Sequence, residues 1–134
     1  MDTTAATSSS TLTDSSKRRS KILIVDDEPD ISYTLKNVLE QQQQLVQEHV
    51  GYEVTVFNDP VIALSNFQPG LYDLLLLDIR MPNMNGFELH YKIQKIDDKV
   101  KVCYISAYEL YYIRLRETFP SLKTNCFILK NQLI

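Results

Sequence analysis

Two short apolar runs in this chain each end in aspartate. The first is Asp73-Leu74-Leu75-Leu76-Leu77-Asp78-Ile79-Arg80-Met81-Pro82, with four leucines in a row before Asp78. Such a run reads as a strand buried on both faces, the pattern of a parallel sheet flanked by helices. The second run is Lys21-Ile22-Leu23-Ile24-Val25, and it leads into Asp26-Asp27-Glu28. A carboxylate placed where a buried strand runs out lies at the carboxyl edge of the sheet, where open α/β folds build their sites. Two strands that deliver three aspartates to one edge concentrate like charge. That arrangement is costly unless a cation sits among them.

The rest of the sequence alternates in the same way. Strands are predicted at about 21–25, 53–57, 73–77, 100–105 and 125–129, with helical patterns between them. The first helix carries Ile31, Leu35, Val38, Leu39, Val46 and Val50 near helical spacing. The second opens at Asp59-Pro60, a capping aspartate followed by proline at the first helical position. The third runs from about Asn85 to Ile96 and the fourth from about Tyr108 to Thr118. Strict alternation implies an α/β fold with a parallel, doubly wound sheet and right-handed crossovers. The first helical pattern includes Gln41-Gln42-Gln43-Gln44 and extends to about His49. A helix of roughly 20 residues spans about 30 Å, whereas a five-residue strand spans about 17 Å. Its far end must overhang the sheet or break at the glutamines. Leu129 and Lys130 are followed by four residues, so no fifth helix is expected within the sequence.

Composition narrows the function classes. The 134 residues suit one domain with a single core. A net charge of −3 argues against nucleic acid as the main partner. No apolar stretch approaches the roughly 18 residues of a membrane helix. Residues 1–20 are rich in Ser and Thr, hold no aromatic residue, and read as a disordered tail without a signal-peptide core. Lys17-Arg18-Arg19 within it reads as a solvated charge run. Cys103 and Cys126 fall in apolar strand-like segments and are expected as buried free thiols of a reducing cytosol. His49 and His90 share no metal-binding spacing and are expected at the surface.

The acidic cluster has no phosphate cradle beside it. The chain has three glycines, Gly51, Gly70 and Gly86, and neither a GxGxxG nor a Walker pattern. Asp26, Asp27 and Asp78 are hard oxygen ligands suited to Mg2+, which takes one or two carboxylates together with phosphate oxygens and water. A carboxylate beside bound Mg2+ can attack a phosphoryl group and form an aspartyl phosphate. A hydroxyl and a cation would help to hold the product oxygens. Two later strands end suitably, one in Ser106-Ala107 and one in Lys130. Taken singly, Ser106 reads as a helix cap and Lys130 as a surface charge. Three acids, a hydroxyl and a lysine, all at strand carboxyl ends, point to a phosphoryl site. The tyrosines Tyr104, Tyr108, Tyr111 and Tyr112 gather around the fourth helix and read mainly as packing.

These motifs resemble the receiver domain of the two-component response-regulator family. The matching segments are Ile22-Leu23-Ile24-Val25-Asp26-Asp27-Glu28-Pro29, Leu77-Asp78-Ile79-Arg80-Met81-Pro82-Asn83-Met84-Asn85-Gly86, Ile105-Ser106-Ala107 and Phe127-Ile128-Leu129-Lys130. The resemblance covers residues 21 to about 130 and implies a flavodoxin-like sheet of strand order 2-1-3-4-5. It implies that Asp78 accepts a phosphoryl group from a sensor histidine kinase and that the domain catalyses its own phosphorylation and dephosphorylation without being an enzyme in the usual sense. It also implies that Asp27 binds Mg2+ directly and Asp26 mainly through water, with the Arg80 backbone carbonyl completing the protein ligands. Ser106 would hydrogen-bond one phosphoryl oxygen and Lys130 would pair with another. Ser106 and Phe127 would form the switch, and small Ala107 would leave the phosphoryl group room. The chain departs from the family pattern in three places: Asn131 replaces the proline after Lys130 and implies a trans bond, the first helix carries the glutamines, and the fifth helix is missing.

The expected function is therefore a cytoplasmic phosphoacceptor receiver that switches a surface for an unknown downstream protein, with no direct DNA binding and no membrane association. The domain is taken as 21–134, truncated after the fifth strand. A degenerate receiver serving as a non-switching interaction module is the alternative. A phosphatase with an aspartyl-phosphate intermediate would want a second acid two residues after Asp78, where Arg80 stands. Without a fifth helix, parts of Ile22, Ile24, Phe127 or Leu129 are expected to face water, which predicts homo-oligomerisation through that face.

Overall fold

The computed structural model describes residues 19–41, 51–122 and 126–132. The expected tail, apart from its last two residues, and the expected glutamine extension beyond Gln41 lie outside the described residues. The chain runs β1 (Ser20–Val25), α1 (Pro29–Gln41), β2 (Tyr52–Phe57), α2 (Pro60–Asn66), β3 (Leu74–Asp78), α3 (Gly86–Gln94), β4 (Lys101–Ser106), α4 (Glu109–Thr118) and β5 (Phe127–Leu129). A 3-10 turn at Lys130–Gln132 follows. The five strands form one sheet in the order β2-β1-β3-β4-β5. Every pairing is parallel, which is the architecture the alternating pattern implies.

The two-residue period of the strands sorts side chains onto two cores. Leu23, Val25, Leu75, Leu77, Val102 and Tyr104 face one side and pack with residues of α2, α3 and α4, among them Ala63, Phe87 and Ile93. Ile22, Ile24, Leu76, Cys103 and Ile105 face the other side, where α1 contributes Leu35, Ile31 and Leu39. Burying a leucine side chain is worth roughly 1.5–3 kcal/mol. The four-leucine run therefore drives both layers at once and fixes β3 as the central strand. Ile22 and Ile24 are covered, at 4% and 0% exposure, against the expectation that they face water. Phe127, Ile128 and Leu129 are half-buried.

Local chemistry sets the helix starts. Asp59 accepts hydrogen bonds from the N–H groups of Val61 (2.8 Å) and Ile62 (3.3 Å), and Pro60 opens α2 without an N–H to satisfy. Asn85 and Glu88 form a capping box at α3, with bonds of 2.8 and 2.9 Å. α4 has no side-chain cap, and none of its residues is fully buried.

Two expectations about single residues fail. Cys103 and Cys126 are joined in a disulfide. Tyr104 pairs with Phe127 across β4 and β5, so the residues preceding each are neighbours, with Cα atoms 4.6 Å apart, within the range a disulfide spans. A sequence separation of 23 gives no hint of this. His90 is buried rather than at the surface, with 7% exposure. Its Nδ1 is hydrogen-bonded to the Tyr104 hydroxyl, because α3 turns His90 inward along with Phe87, Leu89 and Ile93. Burial lowers the His90 pKa to about 4. Burial, followed by the neighbouring Tyr112, pushes the Tyr104 phenol above its ordinary range.

Candidate phosphoryl-acceptor site

The carboxyl edges of β1 and β3 deliver the acids. Asp26 is 0% exposed and Asp78 3%, while Asp27 is more open to solvent. One carboxylate oxygen from each of the three lies within 4.8 Å of the others. The loop after β1 is held by its backbone. Asp26 Oδ1 accepts from the Glu28 N–H at 2.9 Å. The Asn58 amide, at the end of β2, donates to the Asp26 carbonyl (2.7 Å) and to Ser32 Oγ (3.0 Å).

The loop after β3 is equally constrained. The Ile79 N–H donates to Ile105 O at 3.0 Å, and the Gly86 N–H closes back on Ile79 O at 2.8 Å. A Cβ at Gly86 would stand 2.3 Å from the Asp78 carbonyl oxygen, so only glycine lets α3 approach this closely. Asn83 takes a left-handed conformation (φ 74°) between Pro82 and Met84, which asparagine tolerates better than most residues. The spacing from Asp78 to Gly86 is thus a geometric requirement for a tight turn under the strand end.

Lys130 enters from the end of β5. Its Nζ lies 3.1 Å from Asp78 Oδ2, 3.3 Å from Asp26 Oδ1 and 3.2 Å from Asp26 Oδ2, and it also pairs with Glu28. Lys130 thus reaches the acids with Asn131 following and with no cis peptide among the described residues. Asp26 Oδ2 is within ionic reach of Lys130, yet it receives no directed hydrogen bond and is otherwise orphaned. Three acids, Asp26, Glu28 and Asp78, thus share one ammonium, with Asp27 beside them.

The electrostatics follow from that imbalance. Burial first, and then the Asp26 carboxylate, raise the Asp78 pKa to about 8 against the pull of Lys130. Burial likewise raises Asp26, opposed by the Glu28 N–H and by Lys130. Burial works to lower Lys130, but Glu28, Asp78 and Asp26 outweigh it and hold the ammonium above its ordinary range. A divalent cation would relieve this crowding. The orphaned Asp26 oxygen, the clustered hard ligands and the excess of acids all fit Mg2+.

Ser106 and Ala107 line the same cavity of about 300 Å3, with Asp27, Asp78, Arg80 and Lys130. The Ser106 hydroxyl is not directed at Asp78. It accepts from the Tyr108 N–H (3.3 Å) and donates to the Tyr108 carbonyl (3.2 Å). Arg80 donates from Nη1 to the Tyr111 hydroxyl at 2.7 Å, with its guanidinium 4.7 Å from the Tyr111 ring centre. Phe127 lies apart from the acids and stacks on Tyr112 of α4, with centroids 4.5 Å apart. Sequence alone points neither to Glu28 as a partner of Lys130, nor to Asn58 as the brace of the β1 loop, nor to Tyr111 as the partner of Arg80. Glu28 directly follows the two aspartates and Tyr111 falls in the tyrosine cluster around α4, whereas Asn58 carries no such signal.

The response regulator receiver domain family model matches residues 22–131. The response regulator receiver protein CpdR of Brucella abortus is 33% identical over 66% of this chain and 67% of its own. The sensor protein EvgS of Escherichia coli is 37% identical over 64% of this chain, which spans only 6% of that protein. The crystal structure of response regulator protein TrrA from Thermotoga maritima in complex with Mg2+-BeF superposes with a TM-score of 0.66 and 32% identity, covering 82% of this chain and 85% of that one.

Proposed function

The chain belongs to the response regulator receiver family, and from that premise we propose that Asp78 is its phosphoacceptor, taking a phosphoryl group from a sensor histidine kinase. The supporting observation is the position of Asp78. It is buried among Asp26 and Asp27 and held at 3.1 Å by Lys130. An Asp78 carboxylate oxygen attacks phosphorus, the phosphorus–nitrogen bond of the donor phosphohistidine breaks, and the imidazole leaves. Mg2+ held by Asp26, Asp27, Asp78 and the Arg80 carbonyl would offset the negative charge of the transferring oxygens. Lys130 holds one of those oxygens by ion pairing, and Ala107 leaves them space.

Switching follows from hydrogen-bond exchange. A phosphoryl group brings roughly −1.5 to −2 charges and strong acceptors. Ser106 leaves the Tyr108 backbone to donate to one of those acceptors, which frees the start of α4. Phe127 and Tyr112 then repack together, a population shift between two arrangements. The changed α4 and β5 surface is read by a downstream protein in the cytoplasm, without direct DNA contact. Half-buried Phe127 and Leu129 would also support self-association, for which sedimentation across protein concentrations is the test.

Incubation of the protein with Mg2+ and acetyl phosphate, followed by intact mass, tests the assignment. Wild type should gain one phosphoryl mass, and Asp78→Asn should gain none. A gain that survives in Asp78→Asn overturns it. A protein that accepts the group without any change in α4 is the non-switching module.

A further inference from the structure

We propose that the Cys103–Cys126 disulfide is a thiol-exchange site whose reduction loosens the strand that carries Lys130. In a reducing compartment a disulfide persists mainly as a switching element, so its presence in a protein read as cytoplasmic calls for a role. Its two cysteines differ in exposure. Cys103 is 1% exposed and sits in the apolar cluster of Ile22, Ile24, Leu76 and Ile105. Cys126 is exposed and lines a cleft of about 1080 Å3 with His90, Gln94 and Ser121. That cleft also takes in Leu74 and Lys101, the first residues of β3 and β4, so it opens at the edge opposite Asp78. A thiol can reach Cys126 without entering the acidic site.

The position of the bond gives it leverage. Cys103 precedes Ser106 by three residues on β4, and Cys126 precedes Lys130 by four on β5. The disulfide therefore fastens together the two strands that supply the hydroxyl and the lysine. β5 needs fastening, because it is a three-residue edge strand, half-buried throughout and, among the described residues, paired only with β4. Besides the strand pairing, the bond from the Tyr104 N–H to the Cys126 carbonyl (3.0 Å) holds its start.

The chemistry is a dithiol–disulfide exchange. A thiolate of a dithiol reductant attacks Cys126 Sγ, the bond between the two sulfurs breaks, and the electron pair leaves on Cys103, which takes up a proton. The second thiol of the reductant then displaces Cys126 as a thiol, and the reductant becomes a disulfide. Two electrons pass to the protein. β5 then loses its covalent tie to β4 and keeps its hydrogen bonds and the packing of Phe127 and Ile128, and the hold of Lys130 on Asp78 weakens. The consequence for phosphoryl transfer rests on the function proposed above, whereas the redox site itself does not.

The full chain, oxidised or reduced with dithiothreitol, tests this together with Cys126→Ser and Cys103→Ala. Alkylation followed by intact mass should find no free thiol in the oxidised protein and two after reduction. Reduction should raise amide exchange at 127–130 about tenfold, the mark of a strand that opens locally, and slow Mg2+-dependent phosphoryl gain several-fold. Both variants should match the reduced protein and ignore dithiothreitol. Two free thiols in protein never exposed to reductant, or unchanged exchange at 127–130 in the reduced protein and both variants, overturn the proposal. A redox-dependent change in exchange with no phosphoryl gain in either state sustains this site and refutes the phosphoacceptor reading instead.

Discussion

The site has two unlike halves. The carboxylates come from β1 and β3 in the middle of the sheet, where each strand has a neighbour on both sides and Val25, Leu75 and Leu77 are fully buried. The hydroxyl and the lysine come from the ends of β4 and β5. Ser106 there is committed to the Tyr108 backbone, α4 buries no residue completely, and β5 lies at the edge. The difference shows a division of labour. The acids are held rigidly because like charges must be kept together against repulsion until a cation arrives. Ser106 ends a well-buried strand, but α4 and β5 beside it have little burial to lose, so a new charge at Asp78 can move them.

The largest effect should come from breaking the rigid half. Gly86→Ala drives a Cβ into the Asp78 carbonyl, and overpacking of this kind costs about 3 kcal/mol. Urea unfolding should show the loss, together with poorer phosphoryl gain.

Acid sharpens the comparison at the anchor of β4. His90 is held neutral against Tyr104, with its pKa lowered from 6.5 to about 4. The unfolded chain therefore takes up a proton below about pH 6.5 that the folded chain refuses until about pH 4. Stability should fall between those values by on the order of 3 kcal/mol. The cleft side of His90 also faces Asp97, Asp98, Lys99 and Lys101. Melts of His90→Asn against pH should lack this slope.

Removing one acid should relieve the crowding. Asp78→Asn should stabilise the Mg2+-free protein at neutral pH by about 1 kcal/mol, because a neutral amide replaces an acid that burial and Asp26 make costly to ionise. The gain should vanish when Mg2+ is added to both proteins.

The smallest change lies on the mobile side. Tyr111→Phe keeps the ring beneath Arg80 but removes the hydroxyl that accepts its hydrogen bond. An exposed bond of this kind is worth about 0.5 kcal/mol, so thermal stability should hardly move.

The sequence made the rigid half readable and left much of the mobile half hidden. Leucine and isoleucine runs report burial on both faces directly, so β1, β3 and their terminal aspartates were plain. The Asp59-Pro60 signal is local and the third helical pattern begins near Asn85, so the starts of α2 and α3 are close to their true places. The disulfide depends on the pairing register of two strands far apart in sequence, which no spacing reveals. The burial of His90 depends on α3 packing against Tyr104, a tertiary choice that overrides the polarity of histidine. The bonds from Ser106 to Tyr108 reflect a hydroxyl choosing between a helix start and an acidic pocket, and the residue type allows both. Lys130 reached Asp78 without the expected proline because β5 and the turn after it already aim the side chain.

Amide exchange of the whole chain before and after phosphorylation with Mg2+ and acetyl phosphate tests the two-half account most directly. Peptides covering Ser106–Tyr111 and Phe127–Lys130 should change, while those covering Ile22–Val25 and Leu74–Leu77 stay as protected as before. Equal changes in both halves, or changes confined to the segment around Asp78, would contradict it.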